Sequence, residues 1–137
     1  MDDPLNSQER GAALGQVHDA GSFPSRPAQK VIGHLFNKWN MLVIRRLSRR
    51  TTRYSELGRD IGDISQKMLT QTLRHLERIG LVSRKVYPVV PPKVEYSLTE
   101  LGVSCVAAMD GLLNWAIENI DRVEDAIKGY DTRENDK

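Results

Sequence analysis

The stretch ISQKMLTQTLRHLERIGLVSRKVYPVVPPKVEYSLTELG, residues 64–102, decides the fold of this chain. Ser65 is a good helix N-cap, and the leucines that follow it recur at helical spacing, which predicts an amphipathic helix over 66–79. Gly80 predicts a left-handed cap at the end of that helix. Beyond it the period of apolar residues changes to two, which indicates strands. A capped helix that leads directly into strands is therefore the centre of the expected fold.

Two strands are predicted over 82–86 and 94–98, where apolar and polar residues alternate. The loop between them, YPVVPPK, holds three prolines, which cannot donate to a β ladder and therefore stiffen the loop. Upstream, Tyr54, Leu57 and Ile61 mark a short helix that a glycine ends. A short helix, a tight turn, a capped helix and a hairpin predict a winged helix-turn-helix, in an α+β fold that is mainly α.

The flanking segments predict helices on both sides. Pro27 suits the first turn of one helix, and Asn37 is a plausible cap for the next. Thr99 caps a final helix whose apolar stripe runs as far as Ile127, longer than one small domain needs to close its own core. The expected organisation is a flexible N-terminal arm (1–26), a DNA-binding domain (27–98), a C-terminal dimerisation helix (99–128) and a disordered tail (129–137).

The net charge of +2 conceals a segregation along the 137 residues. Residues 38–93 hold thirteen Lys or Arg against four Asp or Glu, a charge of +9, whereas 94–137 hold four against ten, a charge of −6. A basic middle with an acidic end suggests that one face meets a polyanion. A merely solvated surface is the alternative interpretation of the same pattern.

The polar face of the 66–79 helix carries residue types that read DNA. Glutamine can bond adenine through two hydrogen bonds, and Arg or Lys can bond guanine, when the N-terminal part of a helix enters the major groove. The expected base-reading residues are Ser65, Gln66, Lys67, Thr70, Gln71 and Arg74. The expected phosphate contacts, on the wing and before it, are Arg53, Arg84, Lys85 and Lys93. An amphipathic surface helix without a DNA-binding role would show a similar pattern.

Several function classes find no support in the sequence. There is no Gly-rich phosphate loop, nucleophile elbow or acid–base constellation, so we expect no enzyme and no cofactor. The three histidines lack metal-ligand spacing, so we expect no metal site. No apolar run approaches the length of a membrane span, and a single cysteine suits a reducing compartment, so we expect no membrane partner and a cytoplasmic, nucleoid-associated location.

Residues 64–102 closely resemble the signature of HxlR-type bacterial transcription regulators. The resemblance extends upstream through KWNMLVIRRL (38–47) and RYSEL (53–57), and VYPVVPPKVEYSLT is its most specific part. It implies a homodimer that binds double-stranded DNA at a pseudo-palindromic operator. In that family the first and last helices form the dimer interface. The residues expected there are Val31, Leu35, Leu101, Cys105, Met109, Leu112, Ala116 and Ile120.

The chain departs from the family pattern at one functional position. Many relatives carry a Cys-Pro pair before the first helix, and in several the cysteine senses oxidants; the matching pair here is Arg26-Pro27. The remaining thiol, Cys105, lies on an apolar stripe, which favours core packing over redox sensing.

Four alternatives stay open at this point. Phe36, Trp39 and Trp115 form either core and interface or a pocket for a small aromatic effector. The chain could also be a winged-helix module that binds protein, or a redox sensor through Cys105. The fourth alternative is a repressor that acts without any ligand.

Overall fold

The computed structural model describes residues 23–137, and the predicted arm at 1–26 lies almost wholly outside them. The chain divides into two compact units between Phe36 and Asn37. In the first unit, helix α1 (Arg26–Leu35) begins after Ser25, whose side chain accepts a hydrogen bond from the Ala28 amide. The helix that was predicted from Pro27 therefore exists, but it belongs to a different unit from the winged helix.

The second unit contains the predicted helices and wing and one strand that was not predicted. Its elements in chain order are α2 (Lys38–Leu47), β1 (Thr52–Arg53), α3 (Tyr54–Ile61), α4 (Gln66–Arg78), β2 (Val82–Tyr87), β3 (Lys93–Leu98) and α5 (Glu100–Asn135). The strands form one antiparallel sheet in the order β1-β3-β2. This is a winged helix-turn-helix followed by a long C-terminal helix.

The core of this unit lies between α2, α3, α4 and the first residues of the hairpin. It buries these apolar side chains: Val43, Ile44, Leu47, Leu57, Leu69, Leu73, Leu76, Leu81 and Val82. Glycines close both helices of the helix-turn-helix, with φ of 85° at Gly62 and 84° at Gly80. These are conformations that side-chain-bearing residues rarely adopt, so the two glycines fix the turns that aim α4.

The first turns of α5 are joined to the winged helix and are not separate from it. Thr99 caps α5 through the Gly102 amide, and its hydroxyl also donates to the Gly80 carbonyl at 2.6 Å. Gly102 and Met109 are buried. Met109, one of the residues predicted for a dimer interface, is thus 8% exposed within the single chain.

Helix α5 continues to Asn135, so the predicted disordered tail at 129–137 is wrong over most of its length. The segment holds no proline, and Gly129 is its residue of lowest helix propensity. Arg133 lies in the last turn, where a cation interacts favourably with the helix dipole. Within residues 23–137, no helix is both long and apolar enough to cross a membrane.

Candidate DNA-binding surface

Helix α4 presents most of its predicted base-reading side chains to solvent. Ser65 accepts a hydrogen bond from the Met68 amide at 3.0 Å, so its side chain caps the helix. The leucines of α4 are buried and hold one face of the helix against the core. Four of the predicted reading side chains are exposed on the side of α4 that points away from the core: Gln66, Lys67, Gln71 and Arg74.

Thr70 is placed differently from the other reading residues, because Tyr54 holds it. The two hydroxyl oxygens lie 2.9 Å apart, and the Tyr54 hydroxyl also donates to the Gln66 carbonyl at 3.1 Å. Tyr54 therefore ties the first turns of α4 to the start of α3. In the sequence, Tyr54 only marks the apolar positions of the short helix, and this role was not predicted. The signal was present, since a partly buried tyrosine hydroxyl needs a hydrogen-bond partner.

Five side chains share one face of the sheet, which we call the outer face. Residues directly opposite each other in an antiparallel pair point to the same side, and Glu95 lies opposite both Arg53 on β1 and Lys85 on β2. Tyr87 and Lys93 form the next cross-strand pair on that side. The outer face is therefore a cluster of three cations around one carboxylate and one tyrosine.

Glu95 lies beneath these cations and binds two neighbours. Its Oε1 lies 3.0 Å from Lys93 Nζ, and its Oε2 accepts a hydrogen bond from the Tyr87 hydroxyl at 3.1 Å. The bond to Lys93, with smaller contributions from Tyr87 and Arg53, lowers the pKa of the Glu95 carboxyl below its usual value. The carboxylate therefore stays charged at neutral pH and neutralises part of the patch.

The four predicted phosphate contacts are consequently not equivalent. Arg84 lies opposite Tyr96 on the other side of the sheet, and its Nε is 3.7 Å from Glu77 of α4. Lys93 is paired with Glu95. Among residues 23–137, Arg53 and Lys85 form no ion pair with a carboxylate, and Lys85 Nζ lies 4.9 Å from the centre of the Tyr87 ring. Arg53 and Lys85 are the cations most available to a phosphate.

Much of the predicted dimer surface is exposed in the single chain. Leu101, Leu112 and Ile120 are 57%, 42% and 48% exposed, and Ala116 is exposed as well. Further apolar side chains extend this band along α5: Val123, Ile127 and Tyr130. In the first unit Val31 is exposed and Leu35 is half-buried.

Cys105 is half-buried on α5, and its thiol donates to the Gly102 carbonyl at 3.1 Å. Burial raises the pKa of this thiol above its ordinary value.

The three residues predicted for an aromatic effector pocket are placed as follows. Trp115 lines a groove made by residues of α5, and Trp39 is not among the residues of that groove. Lys38 Nζ lies 4.4 Å from the centre of the Trp39 ring. Phe36, the third residue of that prediction, belongs to the first unit and is exposed.

Comparison with known proteins gives the family. The family model for the HxlR-like helix-turn-helix matches residues 34–124. YtfH of Escherichia coli, an HTH-type transcriptional regulator, is 42% identical over 97 residues, which cover 71% of this chain and 77% of that protein. YkvN of Bacillus subtilis, another HTH-type transcriptional regulator, is 54% identical over 87 residues, covering 64% of this chain and 71% of that protein.

Solved structures agree with this assignment. The transcriptional regulator ytfH from Salmonella typhimurium superposes with a TM-score of 0.68 at 39% identity, covering 74% of this chain and 91% of that one. The redox regulator HypR in its reduced form superposes with a TM-score of 0.67 at 36% identity, covering 72% of this chain and 98% of that one. With the exposed face of α4 and the cationic wing, these findings show that the chain belongs to the HxlR-like helix-turn-helix family of DNA-binding transcriptional regulators.

Proposed function

We propose that the protein acts as a homodimer that binds a pseudo-palindromic operator in double-stranded DNA. The observation that carries this proposal is the pair of surfaces left exposed by one chain: the polar face of α4 and the apolar band along α5. The first surface suits base edges in the major groove, and the second suits another copy of the chain. Two-fold symmetry of the protein would then be matched by two half-sites in the operator.

In this arrangement Gln66, Lys67, Gln71 and Arg74 read bases. Bidentate amide and guanidinium contacts are each worth about 1–3 kcal/mol of discrimination against the wrong base. Arg53 and Lys85 bind phosphates beside the groove and fix the register of the protein. Tyr54 and the Ser65 cap hold α4 at the angle that this reading requires.

The α5 band supplies the dimer interface in this proposal. Leu112, Ile120, Val123 and Ile127 recur at helical spacing and are 42%, 48%, 43% and 55% exposed. The part of α5 that packs on its own winged helix ends near Met109, which leaves the rest of the helix for a partner. We also expect Val31 and Leu35 of α1 to contribute.

We infer that the protein has no catalytic activity and acts on DNA in the bacterial cytoplasm, associated with the nucleoid. The relatives are transcriptional regulators, and the exposed side chains of α4 and the wing fit a binding role without any chemical step. Modulation of DNA binding by a small-molecule effector is part of the proposal.

The experiment that tests the proposal is the salt dependence of duplex binding. Each neutralised phosphate releases counterions, so log K falls with log[salt] by roughly 0.9 per contact. Two subunits with three or more cationic contacts each give a slope of about −5 or steeper. A flat salt response would show that the basic surface serves another partner, such as a protein.

A matched pair of substitutions tests the assignment of the reading helix. Gln71→Ala or Arg74→Ala should cost about 1–3 kcal/mol of operator affinity and relax preference at one position in each half-site. Lys128→Ala, at the far end of α5, is the control and should leave the preference unchanged. If binding to operator and to competitor DNA falls equally in the α4 variants, these residues do not read bases.

Redox regulation is the second candidate function, and the structural neighbours motivate it. Solved structures of similar proteins include the redox regulator HypR in oxidised and reduced forms and YodB in reduced and diamide-treated forms. Here the position that matches the family's sensing cysteine holds Arg26, and Cys105 is half-buried with a raised pKa. Both observations argue against a thiol switch, so we prefer the non-redox regulator.

A further inference from the structure

Four arginines near the end of α2 have no part in the surfaces assigned above. They line an open groove of about 680 Å³ between α2 and α3, which we call the arginine groove. Small-molecule sites commonly measure roughly 300–1,000 Å³. The lining residues are Leu42, Arg45, Arg46, Arg49, Arg50, Asp60 and Ile61. A cavity of this size with four guanidinium groups and one carboxylate is a candidate site for an anion.

Carboxylates fix three of these arginines in place. Asp60 accepts from Arg46 Nε at 2.6 Å, Glu56 lies 3.2 Å from Arg50, and Asp110 of α5 pairs with Arg45. A guanidinium carries five N–H donors, and one carboxylate uses at most two of them. The paired arginines are therefore held in position and still retain donors for a ligand.

Arg49 differs from its neighbours. Within the described part of the chain it forms no ion pair with a carboxylate, and it is exposed beside Leu42, which is 37% exposed, and the half-buried Ile61. An available guanidinium next to apolar side chains suits a ligand with one charged end and one apolar end. Inorganic ions alone would leave the apolar side chains without a contact.

We propose that the arginine groove binds a small anion, a carboxylate or a phosphate monoester, whose apolar group packs on Leu42 and Ile61. Its use as an effector rests on the proposed regulatory function, whereas the binding itself does not. The Arg46–Asp60 pair joins the groove to α3 just before the Gly62 turn that leads into the reading helix. The Arg45–Asp110 pair joins it to α5. A ligand that takes donors from these arginines acts on both helices.

Phenyl phosphate is the probe for an NMR titration of the full chain without DNA. We expect saturable shifts of the Arg49 Nε–Hε signal and of the Leu42 and Ile61 methyl signals, and no such shifts with benzyl alcohol, which lacks the charge. Arg49→Gln should weaken phenyl phosphate binding by roughly tenfold or more, because a charge-assisted bond is lost. Lys128→Gln removes a cation outside the groove and should leave the affinity unchanged.

A second titration with a short duplex distinguishes a free anion from a DNA phosphate as the source of the ligand. We expect the duplex to shift the signals of Gln71 and Arg74 and to leave the Arg49 signal unchanged. Three results would each overturn the proposal: a shift of the Arg49 signal by the duplex, signal shifts that grow linearly with phenyl phosphate without saturating, or equal shifts of the signals of all exposed cations. Since the first titration contains no DNA, its failure and a failure of DNA binding are separate results.

Discussion

The cations of the wing differ in what neutralises them, and this difference predicts a graded effect of substitution. Arg53 and Lys85 form no ion pair with a carboxylate in the described chain, whereas Lys93 is 3.0 Å from Glu95. Arg53→Ala or Lys85→Ala should reduce the magnitude of the salt slope of duplex binding by about one per lost contact. Lys93→Ala should reduce the slope by less. In the native protein Lys93 must leave Glu95 to bind a phosphate, and the unpaired carboxylate then attracts a cation, which offsets part of the counterion release at the phosphate. A larger reduction of the salt slope in Lys93→Ala than in Lys85→Ala would contradict this prediction.

Cys105 allows a prediction about oxidants. Oxidation proceeds through the thiolate, and a raised pKa keeps nearly all of this thiol protonated at neutral pH. Peroxide, hypochlorite or quinone should therefore leave duplex affinity unchanged over minutes, and mass spectrometry should find Cys105 largely unmodified. Band shifts of the native protein and of Cys105→Ser, each with and without oxidant, are the measurement. Loss of binding in the native protein alone would make Cys105 a sensor.

At the scale of elements, the contact between α5 and the start of the wing depends on a glycine. A Cβ atom on Gly102 would lie 2.2 Å from the Leu81 carbonyl oxygen, a backbone atom that cannot move aside cheaply. Gly102→Ala should therefore lower the free energy of unfolding by about 1–3 kcal/mol or more, although alanine is the better helix former.

Gly129→Ala on the same helix is the matched control, because no atom lies within 4 Å of the Cβ position there. It should raise stability by up to about 1 kcal/mol, the difference in helix propensity. Urea denaturation monitored by circular dichroism compares the two variants with the native chain. Opposite signs of the two effects support close packing of α5 on Leu81, whereas a neutral Gly102→Ala would mean that the two elements can separate there.

The elements show what the sequence could and could not predict. The helices and the hairpin were predictable because α4 and β2 have clear periods and their caps, Ser65 and Gly80, have local causes. β1 was missed because two residues are too few to show alternation, and it forms only by pairing with β3. The role of Tyr54 likewise depends on a partner distant in sequence, and so does the Arg45–Asp110 pair.

On the scale of the whole molecule, charge is separated between the middle of the chain and its C-terminal part. The segment 38–93 carries +9 and holds the reading helix and the wing, whereas 94–137 carries −6 and consists mainly of α5. An acidic helix is repelled by DNA, so this distribution favours the approach of α4 and the wing to the duplex and disfavours that of α5. It also explains why the net charge of +2 gives little indication of a DNA-binding protein.

We expect assembly to depend on the apolar band of α5. Leu112, Ile120 and Ile127 are 42%, 48% and 55% exposed, and a monomer would keep this apolar band in water. Ile120→Lys with Ile127→Lys should therefore give a monomer in sedimentation. The winged helix should stay folded in that variant, because the buried part of α5 ends near Met109. Duplex affinity should also fall, because the second half-site contact is no longer linked to the first.

Glu118→Lys with Asp125→Lys introduces two lysines on the opposite face of the same helix and is the control. That variant should remain a dimer, so a monomer in both cases would point to the added positive charge and not to the apolar band. A dimer in both cases would move the interface away from α5. Far-ultraviolet circular dichroism checks that both variants retain their helices, so that loss of the dimer is not confused with unfolding.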